Sequence, residues 1–136
     1  MASNKPKYVI DTSSLVELRR NYPLDIFPIV WAAMDQLADD GVVISSVEVL
    51  DELEASEVRG DEVLKWAYKH ENIFIPLDGF IQQKVIEILE TFETLIDLKK
   101  KKSSADPFVI ATAIMQSCLV VTEEQPTKNL ASDGKK

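Results

Sequence analysis

Carboxylates stand at four places in this sequence where a short apolar run ends or the helix before one begins. Asp11 follows Tyr8-Val9-Ile10, and Glu48 and Glu52 follow Val42-Val43-Ile44. Asp106 opens the apolar run that precedes Leu119-Val120-Val121-Thr122, and Glu123 and Glu124 follow it. Short β-branched runs of this kind read as buried strands. In an open parallel sheet, ligands bind just beyond the carboxyl ends of the strands. Acids gathered there repel one another, and a divalent cation relieves the repulsion. Hard cations such as Mg²⁺ take oxygen ligands, usually one or two carboxylates plus water and phosphate oxygens. Two such ions about 4 Å apart can clamp the attacking and leaving oxygens of a phosphodiester.

Each acid also has a plainer role open to it. Asp11 can cap a helix or close an Asx turn. Glu48 lies three residues after Ser45, the spacing of a capping box. Asp106 before Pro107 fits an N-cap with proline at the first helical position. Glu52 lies one turn beyond Glu48 on the same helix face and has no capping role, but acids on exposed helices are common. Glu123 and Glu124 also fit a solvated loop. The argument for a site is their joint placement.

The elements that must position these acids can be read in order. Residues 1–6 are polar, and a frayed, disordered start is expected. Tyr8–Ile10 is the first strand. A helix starts near Ser13 or Ser14, with Ser14 and Glu17 spaced as a capping box, and stops before Pro23. A second helix runs from about Asp25, with Pro28 in its first turn. It carries Ile29, Val30, Ala33, Met34 and Leu37 at helical spacing and ends at Gly41. Val42–Ile44 is the second strand, with a helix opened by Ser45-Ser46 and another from Gly60-Asp61. Ile73–Pro76 is the third strand. A long helix follows from Asp78-Gly79, with a stripe of Ile81, Val85, Ile88, Leu89, Phe92, Leu95 and Ile96. The helix from Asp106-Pro107 is apolar nearly all round, which predicts burial. Leu119–Thr122 is the fourth strand. Alternating strands and helices predict an α/β domain with a parallel sheet covered on both faces.

Composition bounds the alternatives. The chain has 136 residues, 46% of them hydrophobic and 28% charged, enough for one domain with a real core. The net charge of −8 argues against broad affinity for nucleic acid or anionic membrane. A single cysteine, Cys118, excludes an internal disulfide, and a reducing, cytoplasmic setting is expected. No apolar run approaches the roughly 20 residues of a membrane span, and Met1–Pro6 has no signal-peptide core.

The four acidic segments resemble the motifs of PIN domains. Val9-Ile10-Asp11-Thr12-Ser13 resembles the first, and Ser46 with Glu52-Leu53 the second. Ala105-Asp106-Pro107-Phe108-Val109-Ile110-Ala111 resembles the third, and Val121-Thr122-Glu123-Glu124 the fourth. The Asp-Pro-Phe helix resembles a VapC-like subgroup. The resemblance covers residues 7–125 and leaves 126–136 as a polar tail. It implies a three-layer α/β/α fold with a central parallel sheet of about four strands. It further implies a Mg²⁺- or Mn²⁺-dependent endoribonuclease, the toxin of a toxin–antitoxin pair, with RNA as substrate. An antitoxin protein and a second copy in a homodimer are the implied partners. Asp11, Glu52, Asp106 and Glu124 would be the catalytic metal ligands. Thr12, Ser13, Glu48 and Glu123 would support them. Two departures stand out: the fourth position is Glu where the family usually has Asp, and the family normally continues with a further strand. Without that strand a sheet edge is exposed, which invites dimerisation.

Two other functions compete. One is a PIN-like binding module without activity, suggested by the same departures and distinguished by a lack of metal binding. The other is an aspartyl-phosphate protein, which Asp11 permits. That reading lacks a second Asp two positions on, and Lys128 is the one lysine close after the fourth strand. Elsewhere, Lys99–Lys102 could hold an RNA backbone or form a solvated loop. His70, the single histidine, is expected at a helix end, Cys118 as a small buried hydrophobe, and Trp31 and Trp66 in the core, although an exposed Trp would mark a partner surface.

Overall fold

The computed structural model of the chain describes residues 5–56, 62–91 and 105–123. Four strands and six helices alternate: β1 (Tyr8–Ile10), α1 (Thr12–Asn21), α2 (Pro28–Asp39), β2 (Val43–Ser46), α3 (Val47–Ala55), α4 (Glu62–Lys69), β3 (Phe74–Ile75), α5 (Gly79–Thr91), α6 (Asp106–Gln116) and β4 (Leu119–Val121). The sheet is parallel throughout, in the order β3-β2-β1-β4. Val9 sits between Ile44 and Val120, so β1 is central. The fold is α/β, as expected.

The strand order fixes the layers. The chain steps from β1 to β2 to β3 in one direction, then returns past both to β4. Crossovers between parallel strands are right-handed. Helices of the outward steps therefore lie on one face, and α5 and α6 of the return step on the other. Contacts agree: α5 packs chiefly on α6, and α6 packs on β1 and β2. The direction reverses between β1 and β4, so the crevice at their carboxyl ends is the switch point where ligands bind in such sheets.

The core runs through the sheet. Val9, Ile44, Val49, Leu53 and Ile73 are buried in one cluster with Trp31 and Trp66. Ala105, Val109 and Ala113, spaced by four, give α6 a small-residue face that joins this cluster. Ala111, on another face of α6, packs with Ile81, Val85 and Ile88 of α5. Burying residues of this size stabilises by about 1.5–3 kcal/mol for each Val, Leu or Ile.

Several local expectations are corrected. The buried face of α2 is Trp31, Met34 and Ala38, whereas Ile29 is 80% exposed and Leu37 lies at the surface. The start of α2 was expected near Asp25 but falls at Pro28, because Phe27 occupies the cap. The helix α6 is not buried all round: Ile114 and Met115 are exposed. Cys118 is only partly buried. Strand β4 lies at the sheet edge of the described residues, with Leu119, Val120 and Val121 exposed. Phe92, Leu95, Ile96, Lys99–Lys102, Gly60-Asp61 and residues 124–136 lie outside the described residues.

The ends of two helices show how backbone demands are met. After α2, Gly41 adopts φ 75°. Its N–H donates to Ala38 O, and Val42 N–H donates to Leu37 O. This is a Schellman closure, whose left-handed residue glycine adopts without steric cost. Ser117 closes α6 with φ 58°, and Cys118 N–H donates to Ala113 O at 2.8 Å. Here an L side chain occupies the left-handed position.

Candidate functional site

Asp11 leaves β1 in extended conformation (ψ 176°) and caps α1. Its Oδ1 accepts from Ser14 N–H at 2.9 Å and from Ser13 Oγ at 3.0 Å. The capping box expected between Ser14 and Glu17 does not form, because the acid three residues earlier takes the cap. Asp11 is 4% exposed, an unusual position for a carboxylate. Both bonds fall on one oxygen, so Oδ2 has no donor among the described residues.

Glu52 reaches the same place from α3. Its Oε1 accepts the Thr12 hydroxyl at 2.6 Å, and its Oε2 accepts Ala105 N–H at 2.9 Å. One carboxylate thereby joins the starts of α1 and α6. Ala105, not Asp106, is the cap residue of α6, and it has no side-chain capping bond. Asp106 is the first helical residue and Pro107 the second. The capping role open to Asp106 in the sequence is therefore not the one it plays. It stands next to the amide that Glu52 holds, half-buried at the same edge.

Hydroxyls tie in the fourth segment. Ser14 Oγ donates to Val121 O at 3.0 Å, and Asp11 N–H donates to the same carbonyl at 3.2 Å. Glu123 N–H donates to Ser13 Oγ at 3.3 Å. The backbone of Glu123 is thus two bonds from the Asp11 carboxylate, through Ser13. Glu124 lies outside the described residues. Ser45 Oγ donates to Ile10 O at 2.6 Å and bonds the edge of β2 to β1 immediately before Asp11.

Glu48 is not in a capping box. Ser46, not Ser45, caps α3, and its Oγ accepts from Glu48 N–H. The Glu48 carboxyl is held above its ordinary pKa, first by burial and then by the charges of Asp51 and Glu52. Burial is the larger cause, and the two acids that add to it lie on the same helix, α3.

The structure therefore brings together Asp11, Thr12, Ser13, Glu52, the Ala105 amide beside Asp106 and the Glu123 backbone at the switch point. Reading the sequence missed Ser14, Ser45 and the Ala105 amide as the groups that lock this edge. The run of hydroxyls at residues 12–14 was a signal for the first; nothing in sequence marks a backbone amide. Among the described residues, no three of Asp, Glu, His and Cys form a group placed to hold a metal ion. Mg²⁺ needs only one or two protein carboxylates. Asp11 Oδ2, with no donor among the described residues, is one such carboxylate oxygen.

His70 and Asp35 form a separate arrangement. His70 is 3% exposed, with Nε2 at 2.8 Å from Asp35 Oδ1 and Nδ1 at 3.5 Å from Asp39 Oδ1. It follows α4 as expected, and it is buried and paired there.

No helix of the described residues is long and apolar enough to cross a membrane. No curated protein and no solved structure matches the chain. Residues 8–135 match the family described as Domain of unknown function (DUF4411), and the chain belongs to that family.

Proposed function

We propose that this protein is a metal-dependent endoribonuclease of PIN-like, VapC-like type, acting in the cytoplasm as the toxin of a toxin–antitoxin pair. The observation that carries the reading is the hydrogen-bonded chain from Asp11 and Thr12 through Glu52 to Ala105-Asp106, with Ser13 adding Glu123. Four segments distant in sequence are drawn to one sheet edge by bonds that all involve acids or the hydroxyls beside them. Folding stability alone does not need this, since α1, α3 and α6 could each be capped locally.

Asp11 and Asp106 would hold Mg²⁺ or Mn²⁺, with Glu52 and Glu124 completing the acidic set. The ion would supply Lewis-acid stabilisation of the phosphoryl oxygens and a water of lowered pKa. The chain's own part is positioning. Ser13 and Ser14 N–H fix Oδ1 of Asp11 and leave Oδ2 facing the site. Thr12 and the Ala105 amide fix Glu52. Glu48 lies one turn from Glu52 on α3, with its carboxyl held above its ordinary pKa chiefly by burial, and would support the set. No histidine takes part, because His70 is committed to Asp35 and Asp39.

One observation favours a second reading, an inactive binding module. Both oxygens of Glu52 already accept bonds from the protein, so this acid can be purely structural. Mn²⁺ calorimetry on the wild type and on Asp106→Asn separates the two. Saturable binding that the substitution abolishes supports the nuclease, with cleavage of a mixed RNA substrate as the next measurement. A folded wild type that binds no Mn²⁺ supports the inert module.

A further inference from the structure

Helix α2 has two apolar faces, and the fold buries one of them. Trp31, Met34 and Ala38 are buried, and Trp31 meets Trp66 of α4 edge to face at 6.2 Å. On the opposite side stand Ile29, Ala32, Ala33, Gln36 and Leu37, all exposed. Their spacing of three and four places them on one side of the helix. The elements that α2 packs on, β2 and α4, lie on the side of Trp31 and Met34. A helix that is apolar on both sides is normally covered on both.

Charge and shape say what covers this face. It carries no charged side chain, in a chain of net charge −8. Two copies repel one another over most of their surface and can approach here. Ile29, Ala33 and Leu37 are spaced by four and form a ridge, of the kind that packs against its like at about −50°. The ridge is bulky at both ends and small in the middle, with its ends roughly 12 Å apart. If two copies cross at Ala33 about a twofold axis, Ile29 of each lies beside Leu37 of the other. Ala32 and Ala33 let the two backbones come close. A twofold contact demands such a self-complementary surface. The helix ends choose the direction. Asp39 and Asp40 stand at the C-terminal end of α2, whereas Phe27 makes no side-chain cap at its start and the first turn has no acid. An antiparallel crossing turns the acids of each copy toward the positive N-terminal end of the other; a parallel one would set the acids together.

We infer that the exposed face of α2 docks on the same face of a second copy of this chain, antiparallel and crossing at Ala33. Two helices of twelve residues cover less than the roughly 800 Å² per partner of a standard interface, so the dimer is weak and forms in a concentration-dependent way. The contact leaves the acidic edge of the sheet open, because α2 contributes none of the residues bonded there.

Sedimentation equilibrium of the full chain from about 1 μM to 1 mM reads the association directly. A reversible monomer–dimer equilibrium is expected. Ala33→Glu sets two like charges at the crossing point and is expected to weaken the dimer at least tenfold. Ile29→Glu and Leu37→Lys should each weaken it too. The double variant Ile29→Glu/Leu37→Lys faces each new acid with a new base of the other copy, and it should associate more tightly than either single variant. All three positions are exposed, so the variants keep the fold, which circular dichroism checks. A wild type that stays monomeric throughout overturns the proposal. So does a dimer indifferent to Ala33→Glu, which would lie on another surface such as the β4 edge. A double variant no tighter than the single ones overturns the antiparallel crossing and the proposal with it.

Discussion

Thr12 donates its hydroxyl to Glu52 Oε1 at 2.6 Å, joining residues forty positions apart at the point where β1 passes into α1. The bond is short, as expected for a hydroxyl on a carboxylate. It ties α1 to α3, and Glu52 in turn holds Ala105 of α6. Thr12→Val keeps the shape and deletes the donor. It is expected to lower stability by about 1.5–3 kcal/mol, the usual worth of a hydrogen bond to a charged group once solvent exchange is counted. Thr12→Ser keeps the hydroxyl and should recover most of that loss. Urea unfolding of the three proteins checks the order; equal midpoints for Val and Ser would show that the bond carries no stability.

Asp11 caps α1 and, on the proposed function, also holds the metal ion, and substitutions can separate the two. Asparagine caps helices as well as aspartate does, whereas alanine loses typically about 1 kcal/mol. Asp11→Asn should therefore unfold within a few tenths of a kcal/mol of the wild type, and Asp11→Ala about 1 kcal/mol earlier. Both should lose Mn²⁺ binding and, on the proposed function, RNA cleavage. Cleavage that survives in a folded Asp11→Asn protein would remove Asp11 from the mechanism.

This double role explains how much of the site could be read from sequence. The strands were legible because Tyr8–Ile10, Val42–Ile44 and Ile73–Ile75 are short apolar runs ended by Asp11, Ser45 and Pro76. The strand order was not, since nothing local distinguishes a return crossover to β4 from a further outward step. Asp11 and Glu52 were visible as acids after strands, but their partners were only partly so. Thr12 could be expected to help; the Ala105 amide could not, because backbone groups carry no sequence signal. The stripe on α2 misled because Ile29 and Leu37 match helical spacing as well as Trp31, Met34 and Ala38 do. Periodicity identifies an amphipathic helix more securely than it identifies which of two adjoining apolar faces is buried. His70 was legible as a residue at a helix end, but its burial was not, because Asp35 and Asp39 that face it come from α2.

The pair of Asp35 and His70 should make stability depend on pH on the acid side. Burial alone would raise the Asp35 pKa. Hydrogen bonds and charge from His70 and Lys69 outweigh it, and the carboxyl lies below its ordinary value of 3.8. A group depressed in the folded state stabilises above its unfolded pKa and loses that contribution as pH falls through the folded one. Stability should thus decline through and below the ordinary carboxylate range, and Asp35→Asn should flatten that part of the decline while lowering stability near neutrality. Urea midpoints measured from about pH 5 down to about pH 2 check both statements. An unchanged slope in Asp35→Asn would assign the acid limb to other carboxylates.

The end of α6 offers a test in which the side chain itself is the defect. Ser117 sits at φ 58°, where an L residue is disfavoured by roughly 1–2 kcal/mol relative to the right-handed region. Glycine is free of that penalty but is more disordered when unfolded. The first term is the larger, so Ser117→Gly is expected to stabilise by a few tenths to about 1 kcal/mol. Gly41, at φ 75° in the matching closure of α2, predicts the opposite sign: Gly41→Ala adds a Cβ where none is tolerated cheaply and should cost about 1 kcal/mol. Thermal unfolding of the pair checks the contrast, because both changes are small, lie at helix ends and touch none of the acids. Stabilisation by both, or loss in both, would show that the left-handed closures do not set these energies.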